Sequence, residues 1–179
     1  KYLRNKEKLS DLSDKQDEET IKQLSERIIK LGGKINLDQK DQKNLIKNLS
    51  KRLEQLELNS ILNDKTKNVV CDDNIKNIKV RFQRVEELPF KELRKLVDKG
   101  KKELGEGIVI VFSTKDDKVG LAVGITEKLT EKYDAIEFVR QGSEIVKGKG
   151  GGGRRDFAQA GGVEKNNINV AFGILKNLV

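Results

Sequence analysis

The sequence contains no histidine and a single cysteine, Cys71. Without histidine the chain cannot form a serine–histidine or cysteine–histidine nucleophile pair, and it cannot form a histidine-ligated metal site. A single cysteine excludes an intrachain disulfide and a paired-cysteine zinc site, and it is typical of a reducing compartment. We therefore expect a cytoplasmic protein with no metal site of its own.

Methionine and tryptophan are also absent, and no apolar run approaches the roughly 18 residues that cross a bilayer. The N-terminal residues 1–6 lack the apolar stretch of a signal peptide. We expect a soluble protein with no membrane partner. Because the chain starts at Lys1 and contains no initiator methionine, we also expect it to be a piece of a longer polypeptide.

Charged residues make up 37% of the 179 residues and apolar residues 35%, so the core must be concentrated in part of the chain. Lysine and arginine total 37 against 29 acidic residues, which gives a net charge of +8. This excess favours polyanionic partners through counterion release. A genome biased towards lysine, asparagine and isoleucine would produce the same excess, so the position of the charge matters more than its sum.

Residues 1–68 are polar and carry apolar residues at helical spacing. Residues 13–16 have the form of a capping box, which predicts that a first helix begins there, and the glycine pair at 32–33 predicts its end. A second helix is predicted after Asp38 and extends to about Leu62.

Each predicted helix carries one apolar stripe that is too short to identify a coiled coil. The two stripes can pack on one another as a hairpin within one chain, or they can pair with a second copy. The sequence does not separate these alternatives. The predicted seam consists of Ile21, Leu24, Ile28 and Leu31 in the first helix and of Ile46, Leu49, Leu53 and Leu56, broadened by Leu45, in the second.

From residue 69 to residue 179 the pattern changes to that of an α/β domain. Alternation at 78–83 predicts a strand with one wet face, and the continuous apolar run 108–112 predicts a buried strand at the sheet centre. A polar turn leads to a third strand at 119–125, which is predicted to form a hairpin with the second. Further helices are predicted from Pro89 to Leu104, after Asp134, and from Asn166 or Asn167 onward.

The order strand, helix, strand, strand, helix, loop, helix requires a crossover between parallel strands and then an antiparallel neighbour. The predicted fold class is therefore α/β. An N-terminal helical hairpin or coiled-coil segment, residues 1–68, is followed by a small mixed-sheet domain packed with helices, residues 69–179.

The segment 147–162 contains more glycine and positive charge than folding requires. Consecutive glycines can direct successive amide N–H groups at one point and form a concavity for a phosphate. The alternative is a flexible linker, which would not need Phe157 or Gln159. We expect Phe157 and Tyr133 in the core, although either could stack on an exposed base pair. The cations around the glycines are Lys147, Lys149, Arg154 and Arg155.

Residues 150–162 read G-G-G-G-R-R-D-F-A-Q-A-G-G. This segment resembles the signature of the DHHA1-type C-terminal domain (C-Ala) of alanyl-tRNA synthetases, usually written G-G-G-R-P-D-M-A-Q-A-G-G. The chain departs from it at Arg155, where proline is usual, and at Phe157, where methionine is usual. Phenylalanine keeps an apolar side chain, whereas arginine removes a fixed φ and adds charge. The resemblance covers 69–179 well and 1–68 only by position and helicity.

The resemblance implies a tRNA-binding region that contacts the elbow of alanine tRNA, while upstream synthetase domains perform aminoacylation and editing. It implies no catalysis in this chain and no cofactor, because ATP and zinc would bind only to the upstream domains. Those domains and a second copy of the chain are the other implied partners. The implied RNA-binding residues are Lys147, Lys149, Gly150, Gly151, Gly152, Gly153, Arg154, Arg155, Gln159, Gly161 and Gly162.

Two other functions are alternatives to RNA binding. The first is a structural element that holds two synthetase chains together. The second is a phosphoesterase, because the same glycine-rich domain type accompanies Asp-His-His enzymes, but the absence of histidine excludes that site here. The aromatic content of 4% argues against a stacking platform for single strands and fits recognition of RNA shape. The acidic pairs 72–73 and 116–117 are assigned no chemistry.

Overall fold

The computed structural model describes the backbone of residues 2–38 and 41–179, and the side chains of 13–38 and 41–179. The chain divides into two compact units, Lys1–Ser60 and Ile61–Val179. The predicted division at residue 68 stays a prediction.

In the described residues the chain forms five α-helices and six β-strands. The helices are α1 (Tyr2–Lys30), α2 (Gln42–Asn63), α3 (Leu93–Leu104), α4 (Ala135–Ile145) and α5 (Ile168–Lys176). The strands are β1 (Asn68–Ile75), β2 (Ile78–Glu86), β3 (Ile108–Lys115), β4 (Lys118–Ile125), β5 (Gly151–Arg154) and β6 (Phe157–Gly162). None of these helices combines the length and the apolar character that crossing a bilayer requires.

The first helix starts earlier than predicted and ends where predicted. Helix α1 already covers residues 13–16, so the capping-box prediction is wrong. The physical reason is that the preceding residues are mostly lysine, glutamate, leucine and arginine, which favour helix and extend it. At the other end, Gly32 has φ +75° and the Gly33 amide donates to the Ile28 oxygen at 2.9 Å. The predicted glycine stop is thus confirmed.

The second helix begins slightly later than predicted. Asp41 caps it, because the carboxylate oxygen Oδ1 accepts hydrogen bonds from the amides of Lys43 at 3.0 Å and Asn44 at 3.3 Å. The helix therefore starts after Asp41 rather than directly after Asp38. The end of α2 at Asn63 agrees with the predicted end near Leu62.

The two helices share one small apolar cluster, which agrees with the hairpin alternative. Two predicted seam residues lie outside it. Leu31 is 39% exposed because α1 has ended before it, and Ile46 is only half-buried because Leu45, one position away, takes the inward place. The buried members are Ile28, Leu45, Leu49 and Leu53, and Ile21, Leu24, Ile35 and Leu56 pack against them.

Unit Ile61–Val179 is built on one mixed sheet with the strand order β1-β2-β3-β4-β6-β5. Strands β2 and β3 are parallel and joined by α3, whereas the other neighbouring strands are antiparallel. The predicted mixed sheet, the crossover and the β3–β4 hairpin are confirmed. Strand β3 lies inside the sheet with residues 108–113 fully buried, as its apolar run predicts.

The three remaining strands were not predicted. Strand β1 is a largely exposed edge strand whose polar composition gives little signal, and β5 and β6 lie in the glycine-rich segment predicted as a loop. Glycine has low strand propensity, so these two strands form because β4 offers a partner for β6 and β6 offers one for β5.

Helices cover both faces of the sheet. Helix α3 packs on one face, where the side chain of Val97 lies against Gly124 of β4. Helices α4 and α5 pack on the other face, on a core that includes Ile110, Phe112 and Leu121. Because side chains alternate along a strand, each strand serves both layers.

The starts of α4 and α5 differ in how they are capped. The Asp134 carboxylate accepts the Ile136 amide at 2.9 Å, which confirms the predicted cap of α4. Asn167 occupies the N-cap position of α5, which is one of the two predicted positions, but its side chain makes no cap hydrogen bond. The side-chain amide of Asn167 instead donates to the carbonyl oxygen of Ile145 at 2.9 Å, because α4 ends beside it.

Candidate nucleic-acid interface

The glycine-rich segment is a β-hairpin at one edge of the sheet. Strand β6 pairs with β4 on one side and with β5 on the other, and Gly152 pairs with Gln159 across the hairpin. The run of glycines forms the extended edge strand β5, and along a strand successive N–H groups point in opposite directions. The glycine amides therefore do not converge on one point, and the predicted amide concavity for an anion is wrong. The linker alternative is wrong as well.

The turn of this hairpin is attached to two other elements. The carbonyl oxygen of Arg155 accepts the amide of Ala135 at the start of α4, at 3.0 Å. The carbonyl oxygen of Asp156 accepts the amide of Ile125 at the end of β4, at 2.9 Å. These bonds give Arg154 and Arg155 a defined place at the end of the sheet.

One face of the hairpin is in close contact with α4, and this contact requires glycine. A Cβ on Gly151 would lie 2.7 Å from Cγ1 of Val139, and a Cβ on Gly162 would lie 2.4 Å from Cγ2 of Val146. Real Cβ atoms do not approach other atoms so closely, so any side chain would push the helix away. Packing thus accounts for part of the glycine signature without any ligand.

The opposite face of the hairpin is open. No atom lies within 4 Å of where a Cβ on Gly152 would be, so packing does not explain this glycine. Between this face and the start of α3 lies a groove of about 600 Å³. Its lining includes Lys91 and Arg94 on the α3 side and Phe157, Gln159 and Gly161 on the hairpin side.

Arg94 and Phe157 join the two sides of the groove. The guanidinium carbon of Arg94 lies 4.9 Å from the centre of the Phe157 ring, a cation–π contact that contributes about 0.5–1 kcal/mol at an exposed site. Phe157 is half-buried and lines the groove, so its expected place in the core is wrong. Tyr133 is buried as expected, and its hydroxyl donates to the Val179 oxygen at 3.1 Å.

The α3 side of the groove was missed by sequence reasoning. Lys91 and Arg94 belong to a helix pattern in which polar positions face solvent by default. No local sequence pattern indicates that these residues lie near the glycine segment, because α3 reaches it only by packing on β3 and β4. If one segment carried a positive charge and an aromatic ring on the same face, its sequence would have indicated the groove. Here the charge is on Arg94 and the ring is Phe157, which are far apart in the sequence.

Three of the four predicted cations form exposed ion pairs. The Arg154 Nε lies 3.2 Å from the Asp156 carboxylate, the Arg155 Nε lies 3.6 Å from that of Asp134, and Lys147 lies 3.3 Å from Glu164. The acids cancel part of the local positive charge. Exposed pairs of this kind contribute only about 0–1 kcal/mol, so a phosphate can replace a carboxylate at little cost.

A second hollow continues from the turn of the hairpin. It has a volume of about 460 Å³, and its lining carries two cations, Lys101 of α3 and Arg154, and two acids, Glu127 and Asp156. Lys101 also lies beside Gly124 of β4, whose pairing partner in β6 is Phe157. The cations therefore stand on both sides of the cleft between α3 and the hairpin.

Residues 77–179 match the model of the DHHA1 domain family. The chain belongs to the DHHA1 family. The matched part begins just before β2, so it contains the sheet from β2 onward and the whole glycine hairpin.

The relatives of this DHHA1 domain are alanine–tRNA ligases. The chain is 42% identical over 103 residues to the ligase of Parvibaculum lavamentivorans, covering 57% of the chain and 12% of the relative. It is 48% identical over 87 residues to the ligase of Bradyrhizobium diazoefficiens, covering 48% of the chain and 10% of the relative. The chain therefore spans only about a tenth of the length of these curated relatives.

Among solved structures, the DHHA1 domain is similar to the C-Ala domain from Aquifex aeolicus alanyl-tRNA synthetase. The TM-score is 0.57 and the identity is 30%, over 60% of this chain and 96% of that domain. The predicted resemblance to the C-terminal region of alanyl-tRNA synthetase is confirmed.

Three carboxylates of the acidic pairs 72–73 and 116–117 have cationic partners. Asp72 binds Arg81, Asp73 binds Lys176, and Asp117 binds Lys165. Over residues 13–38 and 41–179, no three acidic or cysteine side chains come together in a way that would hold a metal ion. These carboxylates thus act in surface ion pairs.

Proposed function

We propose that this chain is the tRNA-binding C-terminal region of an alanine–tRNA ligase and that it contacts the elbow of alanine tRNA. The chain itself performs no catalysis and holds no cofactor. Upstream domains bind ATP and zinc and carry out aminoacylation and editing, and the whole enzyme acts in the cytoplasm. The observation that carries this proposal is the cleft between α3 and the glycine hairpin, which has cations on both sides.

Three further observations support the proposal. The relatives are ligases that act on alanine tRNA, and the chain is similar to 96% of a C-Ala domain. The net charge of +8 suits a polyanion. The arginines at the hairpin turn are exposed and can exchange their carboxylate partners for phosphates.

The proposal is tested by replacing Arg154 and Arg155 together with alanine and measuring the affinity for alanine tRNA over a range of KCl concentrations. Each lost phosphate contact makes the slope of log affinity against log salt shallower by about 1. We therefore expect weaker binding and a slope reduced by about 1–2.

A matched control removes two cations elsewhere in the same unit. Lys99 faces Glu103 on the other flank of α3, and Lys176 pairs with Asp73 of β1, at the opposite edge of the sheet from the hairpin. The double variant Lys99→Ala with Lys176→Ala should keep the wild-type slope. An unchanged slope in the arginine variant, or an equal change in the control, would count against the assignment.

The place of contact on the RNA is tested separately by chemical footprinting of the full tRNA. Protection confined to the elbow supports recognition of the tertiary fold. Protection spread along the whole molecule would show diffuse coating by lysine and would overturn the elbow assignment.

A second candidate function is dimerisation. In unit Lys1–Ser60 three large apolar side chains near the connection between α1 and α2 are exposed: Ile29 by 61%, Leu31 by 39% and Leu37 by 54%. A second copy of the chain could bury them, which would hold two synthetase chains together.

A further inference from the structure

We propose that Arg94 is an RNA-binding residue and that the face of its guanidinium group stacks on one exposed base of the bound RNA. This inference rests on the proposed RNA-binding function. It adds to that function a residue from α3 and a contact with a base rather than with a phosphate.

The Phe157 ring holds Arg94 beside the groove. The guanidinium carbon of Arg94 lies 4.9 Å from the centre of this ring, at the distance of a cation–π contact. The side chain is still 59% exposed, and its contact with Asp98 is long, at 4.0 Å. A planar cation that is held beside a ring and is still more than half exposed has surface left for stacking, and RNA bases stack on arginine planes.

Open space lies beside Arg94. The groove has a volume of about 600 Å³, which lies within the range of ordinary ligand pockets. Gly150 and Gly161 lie on its hairpin side and add no side chain that would fill it.

The groove also has a polar edge. Gln159 is exposed and lines the groove, and its amide can both donate to and accept from a base edge. Lys101 and Arg154 lie on the lining of the adjoining hollow, where they can bind flanking phosphates. A base in the groove would contact Gln159, and phosphates beyond the end of the groove would contact Lys101 and Arg154.

The charge of Arg94 and its planarity are separated by two substitutions. Arg94→Lys keeps the charge but loses the plane, and Arg94→Ala loses both. The probe is an alanine tRNA transcript, bound to the full chain at several KCl concentrations. Because a stacked base is worth about a tenfold change in affinity or more, we expect both variants to bind about tenfold more weakly. Arg94→Lys should keep the wild-type salt slope.

Lys99→Ala is the control, because it removes a cation from the opposite flank of α3, where Lys99 lines a small cavity beside Arg81. It should bind within about twofold of the wild type, as expected for an exposed charge without a base contact. Circular dichroism confirms that each variant is folded, and the exposure of both side chains makes unfolding unexpected.

Wild-type affinity in Arg94→Lys would overturn the stacking proposal, because a point charge would then be sufficient. An equal loss in Lys99→Ala would overturn it too, because the effect would be diffuse. Either outcome is distinguishable from failure of the RNA-binding proposal, which is judged by the Arg154 and Arg155 variant. That variant can flatten the salt slope while Arg94→Lys leaves the affinity unchanged.

Discussion

Gly151 of β5 lies against Val139 of α4, so close that a Cβ on the glycine would come within 2.7 Å of the valine Cγ1 and within 2.4 Å of the Gln159 carbonyl oxygen. Its neighbour Gly152 faces the other way, towards open space. Two adjacent glycines of one motif therefore serve different purposes. Gly151 allows the sheet and α4 to pack, whereas Gly152 lies on an exposed face where a side chain would meet no neighbour.

This difference predicts different costs for the same substitution. Gly151→Ala should lower the free energy of unfolding by about 1–3 kcal/mol, because the new methyl group meets backbone and helix. Gly152→Ala should change it by no more than about 0.5 kcal/mol, because the methyl group meets nothing. Urea denaturation followed by circular dichroism gives both values. Equal values would contradict this assignment of the two faces.

The hydrogen bonds of Arg81 predict a loss of stability in acid. Both carboxylate oxygens of Asp72 accept from the Arg81 guanidinium at 2.7 Å, and Glu103 binds the same group. The hydrogen bond from Arg81 holds the pKa of the Asp72 carboxyl below its usual value of 3.8. A lowered folded pKa means that this stabilisation is present above about pH 3.8 and is lost as the pH falls through the folded pKa.

The variant Asp72→Asn isolates that contribution. At neutral pH it should be less stable than the wild type by less than about 1 kcal/mol, because the carboxylate is nearly half exposed and screened by water. The difference should shrink below pH 3.8, and urea midpoints at pH 7 and pH 3 measure it. The same difference in stability at both pH values would show that the contribution of Asp72 does not depend on ionisation of its carboxyl group.

The apolar cluster of unit Lys1–Ser60 is tested by two neighbouring isoleucines. Ile28 is fully buried and Ile29 is 61% exposed. Ile28→Ala should destabilise the packing of α1 and α2 by about 2–5 kcal/mol, and Ile29→Ala should have little effect on it. Hydrogen exchange of the helix amides gives the comparison. Similar protection in both variants would mean that the cluster does not hold these helices together.

The dimerisation candidate is tested by molar mass in solution. We expect the whole chain to form a homodimer and a shortened chain beginning at Ile61 to be a monomer, because the proposed interface residues Ile29, Leu31 and Leu37 lie in the removed unit. Light scattering on both chains provides the measurement. A monomer in both cases would remove the helical interface.

Local sequence patterns were sufficient to predict an element when the pattern within that element alone determines its structure. The run at 108–112 can be stable only inside a sheet, and the positive φ needed after α1 is easy for glycine. The spacing of Leu49 and Leu53 likewise identified the buried side of α2. The motif at 150–162 identified the family because several residue types had to occur together.

The sequence by itself therefore determined the α/β class, the order of the helices and the inner strands, and the family. Tertiary structure alone decided that the glycine segment is a paired hairpin, because strand formation there depends on β4 as a partner and not on local propensity. It alone brought Arg94 to Phe157, since contacts between residues far apart in the chain exist only after α3 has packed on the sheet. For the same physical reason Gly151 and Gly152, identical in sequence, have opposite surroundings: alternation along a strand turns one towards a helix and the other towards solvent.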